Sequence, residues 1–253
     1  MKKKLFTMCF LPFLSTCIVT LQLACAPTNE QQASGSGIKP QSDHQLTNPI
    51  DRFYTWNNVR YVLPGLYAYR FFDESVLGYQ SIKEFTLTEY QPLAIVDFNL
   101  LVPDSIGKDP YIHMYSFDLI RNETISNTDF AEYKKEWIAN LGNGTFNDLA
   151  ELVWSSEKFK KRFPDVDLDE VKQKHYAILR NDNTRLSYLW SFVSGEADQV
   201  ITYTSHLHIN GTVVFIKAWL TSASSLDEVI HTADVAERYV VDFLGKNTKE
   251  PTY

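Results

Sequence analysis

Cysteine is nearly absent from this chain. The 253-residue sequence has only Cys9, Cys17 and Cys25, so residues 26–253 contain no thiol. This excludes disulfides, a thiolate nucleophile and a cysteine-ligated metal from that part of the chain. A domain of about 200 residues can bury a sufficient core without disulfides.

Basic clusters and long apolar runs are also scarce. Lysine and arginine total 24 against 31 aspartates and glutamates, a net charge of −7, and the longest basic run is the three lysines at 2–4. This composition argues against a nucleic-acid-binding protein. Outside the N-terminus no stretch approaches the roughly 20 apolar residues of a spanning helix, which excludes a polytopic membrane protein. The composition, with 44% hydrophobic residues, predicts one globular domain.

The first 24 residues have the parts of an export signal. The lysines at 2–4 precede an apolar run at 5–21 and small residues at Ala24 and Ala26. Leu21, Ala24 and Cys25 resemble the lipobox of bacterial lipoproteins, with Gln22 where that family usually has leucine. The resemblance implies cleavage before Cys25, a diacylglycerol on that cysteine, and a lipid anchor in the bacterial cell envelope on its periplasmic or surface face.

Two other interpretations of this segment stay open. Cleavage after Ala26 would release a freely secreted protein, although Pro27 would then follow the cut. Retention of residues 5–26 would leave an uncleaved membrane anchor interrupted by Pro12 and Gln22.

Residues 25–50 have the polar composition of a flexible tether. As a coil, residues 26–49 would span roughly 25–30 Å end to end. We therefore divide the chain into a lipoprotein-type signal peptide (1–24), a tether (25–50), one globular domain (51–247) and a tail (248–253). Removal of residues 1–24 would take away three lysines and no acid, so the mature chain would carry a net charge of −10.

The first half of the domain has the pattern of strands. Alternation and turn residues predict strands at 59–63, 66–72, 82–90, 93–102 and 111–120. Two helices are expected next, at 129–141 with Gly142 as stop, and at 145–162 with Ser156 on its buried face. A short helix is expected after Asp167.

The clearest pattern is an antiparallel meander between residues 175 and 221. Its strands are predicted at 175–180, 184–193, 199–209 and 212–221, and Asn210-Gly211 forms a two-residue hairpin turn. That turn sets a register in which Ile209, Leu207, Ser205, Tyr203 and Ile201 face Thr212, Val214, Ile216, Ala218 and Leu220. A capping box at Ser225 then opens a closing helix to Leu244, with Gly245 as stop.

These elements predict an α+β fold in which helices pack on an antiparallel sheet with a C-terminal meander. The order of elements over residues 55–245 resembles the PsbP-like α/β/α sandwiches, which include many bacterial envelope lipoproteins. The resemblance implies a non-catalytic binding or assembly role and assigns no residue.

His206 and His208 are the surface candidates for chemistry. They lie two apart on one strand, so both point away from the apolar face. Their cross-strand partners Phe215 and Val213 cannot coordinate a metal, so a metal would need a distant third ligand. We therefore expect a polar sheet face or a helix-covered pair with satisfied hydrogen bonds, and no metal or other cofactor.

Two short motifs resemble known functional signatures only in part. Ser155 and Lys158 spell S-x-x-K, but the serine falls within the predicted helix and no K-T-G accompanies it. Asp165 opens a calcium-like D-x-D-x-D pattern, but Glu170 and Tyr176 replace its required glycine and glutamate. The aromatic residues at 53–56 and 61–72 alternate at strand spacing and form a candidate recognition surface.

The sequence thus predicts a membrane-tethered lipoprotein that binds another envelope protein, without a catalytic residue. The alternative is an exported hydrolase whose dispersed site uses His175, His206 or His208 with a carboxylate.

Overall fold

A computed structural model gives the architecture of the domain. It describes residues 50–72, 95–104, 109–117, 120–141, 153, 155–166, 176–194, 198–220 and 225–248. The predicted signal segment, Cys25, strand 82–90, the short helix after Asp167 and His175 lie outside the described residues.

Apart from the first strand, the described strands and helices follow the predicted order. The strands are β1 (Arg52–Trp56), β2 (Val59–Leu63), β3 (Tyr69–Phe71), β4 (Ile95–Pro103), β5 (Tyr111–Phe117), β6 (Tyr176–Asp182), β7 (Arg185–Ser194), β8 (Asp198–Ile209) and β9 (Thr212–Trp219). The helices are α1 (Asn127–Asn140), α2 (Glu157–Arg162) and α3 (Leu226–Asn247).

The described strands form two antiparallel sheets. Seven of them pair in the order β3-β4-β5-β9-β8-β7-β6, and β1 pairs with β2 in a separate hairpin. In the large sheet β5 lies beside β9, so the meander β6–β9 joins the earlier strands edge to edge. The α+β prediction, with an antiparallel sheet and packed helices, is confirmed.

The predicted hairpin turn between β8 and β9 is present. Asn210 and Gly211 have φ values of 50° and 74°, as a two-residue turn requires. Ile209, Leu207, Ser205 and Tyr203 face their predicted partners Thr212, Val214, Ile216 and Ala218. A turn that the local sequence dictates therefore sets the register of the longest strand.

Helices cover both faces of the large sheet. On one face, α3 packs its apolar stripe on β8 and β9, with Ala233, Ala236 and Val240 fully buried against Val214 and Ile216. On the other face, α1 buries Phe130 and Tyr133 against Val213 and Phe215. Because the two faces of β9 point to different helices, its side chains are buried on both sides.

The prediction of one continuous helix at 145–162 is wrong at Ser156. Ser156 is extended (φ −82°, ψ 125°) and caps α2, its hydroxyl accepting from the Phe159 amide. Serine competes for backbone hydrogen bonds and favours a helix start over a helix interior. Ser155 therefore precedes the helix and does not lie within it.

The prediction that α3 stops at Gly245 is also wrong. The helix continues to Asn247, whose side chain accepts from the Val62 amide and donates to the Val62 carbonyl, at 2.8 Å each. Lys246 binds Asp51 in the same turn. Contacts with the β1–β2 hairpin thus extend α3 past Gly245, a residue type that often ends a helix.

Strand β1 and its turn were not predicted as a hairpin. Asn57 and Asn58 connect β1 to β2 with φ values of 48° and 61°. Asparagine tolerates this left-handed conformation better than most residues. The hairpin buries Trp56 and Tyr61 on one side.

Ser225→Ala is expected to destabilise the domain by about 1 kcal/mol, because the Ser225 hydroxyl caps the Glu228 amide in a full capping box. Urea denaturation measures the change. Ser225→Asp keeps an acceptor oxygen and should retain most of the stability, whereas equal losses in both variants would contradict a capping role.

Candidate functional site

His206 occupies a closed site between the sheet and α1. Its side chain is 0% exposed. Nδ1 lies 2.8 Å from the Tyr133 hydroxyl on α1, and Nε2 lies 3.2 Å from the Tyr188 hydroxyl on β7. The imidazole therefore joins the helix to the sheet through both ring nitrogens.

The neighbouring donors set the proton positions of this cluster. Trp137 Nε1 donates to the Tyr188 oxygen at 2.9 Å, and Thr204 also hydrogen-bonds that oxygen. The Tyr188 hydroxyl can direct its own proton to His206 Nε2, in which case His206 carries its proton on Nδ1 and donates it to Tyr133.

Aromatic rings enclose the remaining sides of the imidazole. Trp137 and Phe215 meet it edge to face, with ring centroids 4.6 and 4.7 Å away. Burial lowers the pKa of His206 to about 3, from an ordinary value of 6.5. The imidazole is therefore neutral at physiological pH and has no contact with solvent through which a substrate could reach it.

His208 lies on the same face, one pair nearer the hairpin turn. Its Nε2 is 2.7 Å from the Ile125 carbonyl oxygen, to which it donates. Its ring stacks on Phe130 with centroids 5.1 Å apart. The two histidines thus share a face, as predicted, and hold the start and middle of α1 to β8.

His206 is not at the surface: of the two expectations for this pair, the helix-covered one holds, because α1 covers this face of the sheet. Phe215 and Val213 are the cross-strand partners of His206 and His208, as expected. Within the described ranges no three His, Cys, Asp or Glu side chains converge on a possible metal position. The described helices include none long and apolar enough to cross a membrane.

A second polar cluster, which the sequence did not predict, lies beneath α3 on the opposite face. Arg185 is buried and forms an ion pair with Glu237 of α3. Its Nη2 also donates to the Tyr203 hydroxyl at 3.1 Å, and that hydroxyl donates to Glu237 at 2.7 Å. Arg185 Nε donates to Ser187 at 2.6 Å.

Every polar group in this cluster has a partner. Ser187 and Ser205 hydroxyls are 2.8 Å apart. Burial disfavours the charged guanidinium, but Tyr203 and Glu237 outweigh it and raise the pKa of Arg185. Arg185 therefore stays ionised, and the cluster fixes α3 against β7 and β8.

One histidine on α3 is paired at the surface. His231 Nε2 lies 2.7 Å from an Asp109 carboxylate oxygen, and both side chains are partly exposed. An imidazole held by a carboxylate is the arrangement of many general bases. The two residues are 122 positions apart, so no sequence motif could have joined them.

The β1–β2 hairpin presents aromatic rings paired with arginines. The Arg60 guanidinium lies 3.9 Å from the centroid of Phe53, and Arg52 lies 4.4 Å from that of Phe71. Arg121 similarly covers Trp56 at 4.6 Å. Of the predicted aromatic surface, Phe53 and Tyr67 are the described rings most open to solvent.

These features describe a domain with two satisfied internal polar clusters and an arginine-aromatic surface at its N-terminal hairpin. Comparison of the chain with models of protein families, with curated proteins and with solved structures finds no match.

Proposed function

We propose that the chain is a bacterial envelope lipoprotein, anchored through a lipid on Cys25, whose α+β domain acts as a non-catalytic binding or assembly factor. The observation that carries the proposal is the order of segments: a lipobox-like Leu21–Cys25, a polar stretch, and a domain whose first strand begins at Arg52. Helix-sheet-helix layering supports the accompanying likeness to PsbP-like domains.

The meander histidines support a non-catalytic role. The hydrolase alternative relied on His175, His206 or His208. His206 is enclosed by two tyrosines, and His208 is engaged with a backbone carbonyl. Both imidazoles are thereby used to hold α1 to the sheet.

One observation favours the hydrolase alternative at a different place. The His231–Asp109 pair could orient an imidazole to activate water. Hydrolysis of an ester substrate by the purified chain, lost in His231→Asn, would favour this alternative over a binding role.

Cys25→Ala is expected to abolish lipid modification and membrane retention. In a bacterial host, the wild-type N-terminal peptide should begin at Cys25 with the mass of a diacylglycerol-modified cysteine. Mass spectrometry of that peptide, with fractionation of membranes from soluble protein, measures both effects.

In-cell cross-linking of the wild-type chain should capture an envelope protein, and Cys25→Ala should reduce the yield because tethering raises the effective concentration. Cys17→Ala, within the predicted signal segment, is the control and should leave acylation unchanged. An unmodified wild-type N-terminus would overturn the lipoprotein assignment, and the absence of any cross-linked envelope protein would overturn the binding role.

A further inference from the structure

Exposed apolar side chains are concentrated at the N-terminal hairpin. Among the described residues the large hydrophobic side chains most open to solvent are Ile50 (77% exposed), Tyr67 (61%), Val241 (60%) and Phe53 (57%). Three of these four lie within residues 50–67. Single exposed apolar residues are ordinary on protein surfaces, whereas a local concentration marks an interaction surface.

The same segment is basic in an acidic protein. Residues 50–72 carry Arg52, Arg60 and Arg70, all exposed, and one acid, Asp51. Asp51 is bound by Lys246 of α3, which offsets its charge. Arg70 forms an ion pair with Asp104, so Arg60, stacked on Phe53, carries the positive charge of this surface in a chain whose net charge is −7.

This surface lies where the predicted tether joins the domain. The Gly65 amide donates to the Asp51 carboxylate at 3.1 Å, and a Cβ on Gly65 would come within 2.7 Å of the Ile50 carbonyl oxygen. The start of the domain is therefore fixed against the open end of the hairpin. A tether of residues 26–49 would keep a lipid at Cys25 within roughly 25–30 Å of this point.

We propose that this tether-side surface, formed by Ile50, Phe53, Arg60 and Tyr67, rests against the headgroups of an anionic phospholipid bilayer. The inference deepens the proposed function and rests on its membrane tether. Arginine binds lipid phosphates, and aromatic rings favour the headgroup level of a bilayer. The stacking of Arg60 on Phe53 presents both groups together.

Because the domain is tethered, a weak contact is enough to keep this surface on the membrane. A surface held near the membrane binds it in an intramolecular step, with an effective concentration set by the tether. An acidic domain would otherwise be repelled by an anionic bilayer. Contact through this surface therefore fixes one orientation of the domain on the bilayer.

A single-cysteine probe tests this contact. In a full-length chain with Cys9, Cys17 and Cys25 replaced by serine, Thr55→Cys places a thiol on the same strand face as Phe53. Val241→Cys, on α3, is a matched exposed control. Each variant, labelled with a polarity-sensitive fluorophore, is reconstituted through its apolar N-terminal segment into vesicles of phosphatidylcholine with or without phosphatidylglycerol.

We expect a blue shift and quenching by spin-labelled lipid at position 55 in the anionic vesicles, and neither effect at position 241. Arg60→Gln should lower the lipid-contacting fraction about fivefold, as expected for one basic residue near an anionic surface. Equal responses at the two positions, no response in anionic vesicles, or a response that requires an added envelope protein would overturn the proposal.

This background cannot be acylated, so the probe result does not depend on a lipid at Cys25. A negative probe result beside a diacylated wild-type peptide would refute the surface and leave the lipoprotein assignment intact. A positive probe result beside an unmodified peptide would refute the lipoprotein assignment alone.

Discussion

Glu237→Leu is expected to destabilise the domain by about 3–5 kcal/mol, because it leaves the Arg185 guanidinium buried without its carboxylate. Arg185 lies beneath α3 and is only 3% exposed. The Tyr203 hydroxyl also loses the acceptor to which it donates. Chemical denaturation monitored by circular dichroism measures the free energy of unfolding.

The double variant Glu237→Leu/Arg185→Met separates the loss of charge pairing from the loss of packing. Removal of both charges should restore on the order of 2 kcal/mol relative to Glu237→Leu, since no unpaired ion remains buried. Lys158→Met is the control, because it breaks an ion pair with Asp227 whose side chains are both well exposed. It should change stability by less than about 1 kcal/mol. If the double variant were no more stable than Glu237→Leu, burial of an unpaired charge would not explain the effect.

Acid is expected to destabilise the domain from about pH 6.5 downward through His206. Its pKa is about 3 in the folded chain and has an ordinary value of 6.5 when unfolded. As pH falls below 6.5 the unfolded chain binds a proton that the folded chain does not, so unfolding becomes more favourable. The loss is about 1.4 kcal/mol per pH unit, or about 2 kcal/mol by pH 5.

The measurement is the urea midpoint across this pH range for the wild type and for His206→Gln. Tyr133 and Tyr188 face the imidazole and do not titrate in acid, and Trp137 and Phe215 carry no ionisable group, so the neighbours add no slope. Glutamine retains hydrogen-bonding groups toward the tyrosines but cannot take up a proton. An unchanged slope in His206→Gln would show that another group is responsible.

The sequence predicted the structure correctly where a few neighbouring residues determine it. Asn210-Gly211 fixes a turn within two residues, and the alternation of β8 and β9 then fixes the register over several pairs. Ser225 and Glu228 likewise define the start of α3 within four residues. Neither inference depends on distant parts of the chain.

Most of the wrong or missing predictions concern residues whose contact partners lie far away in the sequence. Tyr133 encloses His206 from 73 residues away, and Asn247 reaches Val62 from 185 residues away. The sequence analysis did not single out Arg185, because nothing nearby in sequence indicates its partner Glu237. Ser156 was ambiguous locally, since the same residue can lie inside a helix or cap one.

The pairing of β5 with β9 also has a kinetic consequence. Ser116 donates to the Val213 carbonyl across a separation of 97 residues, so the centre of the sheet closes a large loop and the domain has high contact order. Such domains fold slowly, because the entropy of loop closure is lost before the contacts form. The centre of the sheet therefore cannot form until β9 is available to pair with β5.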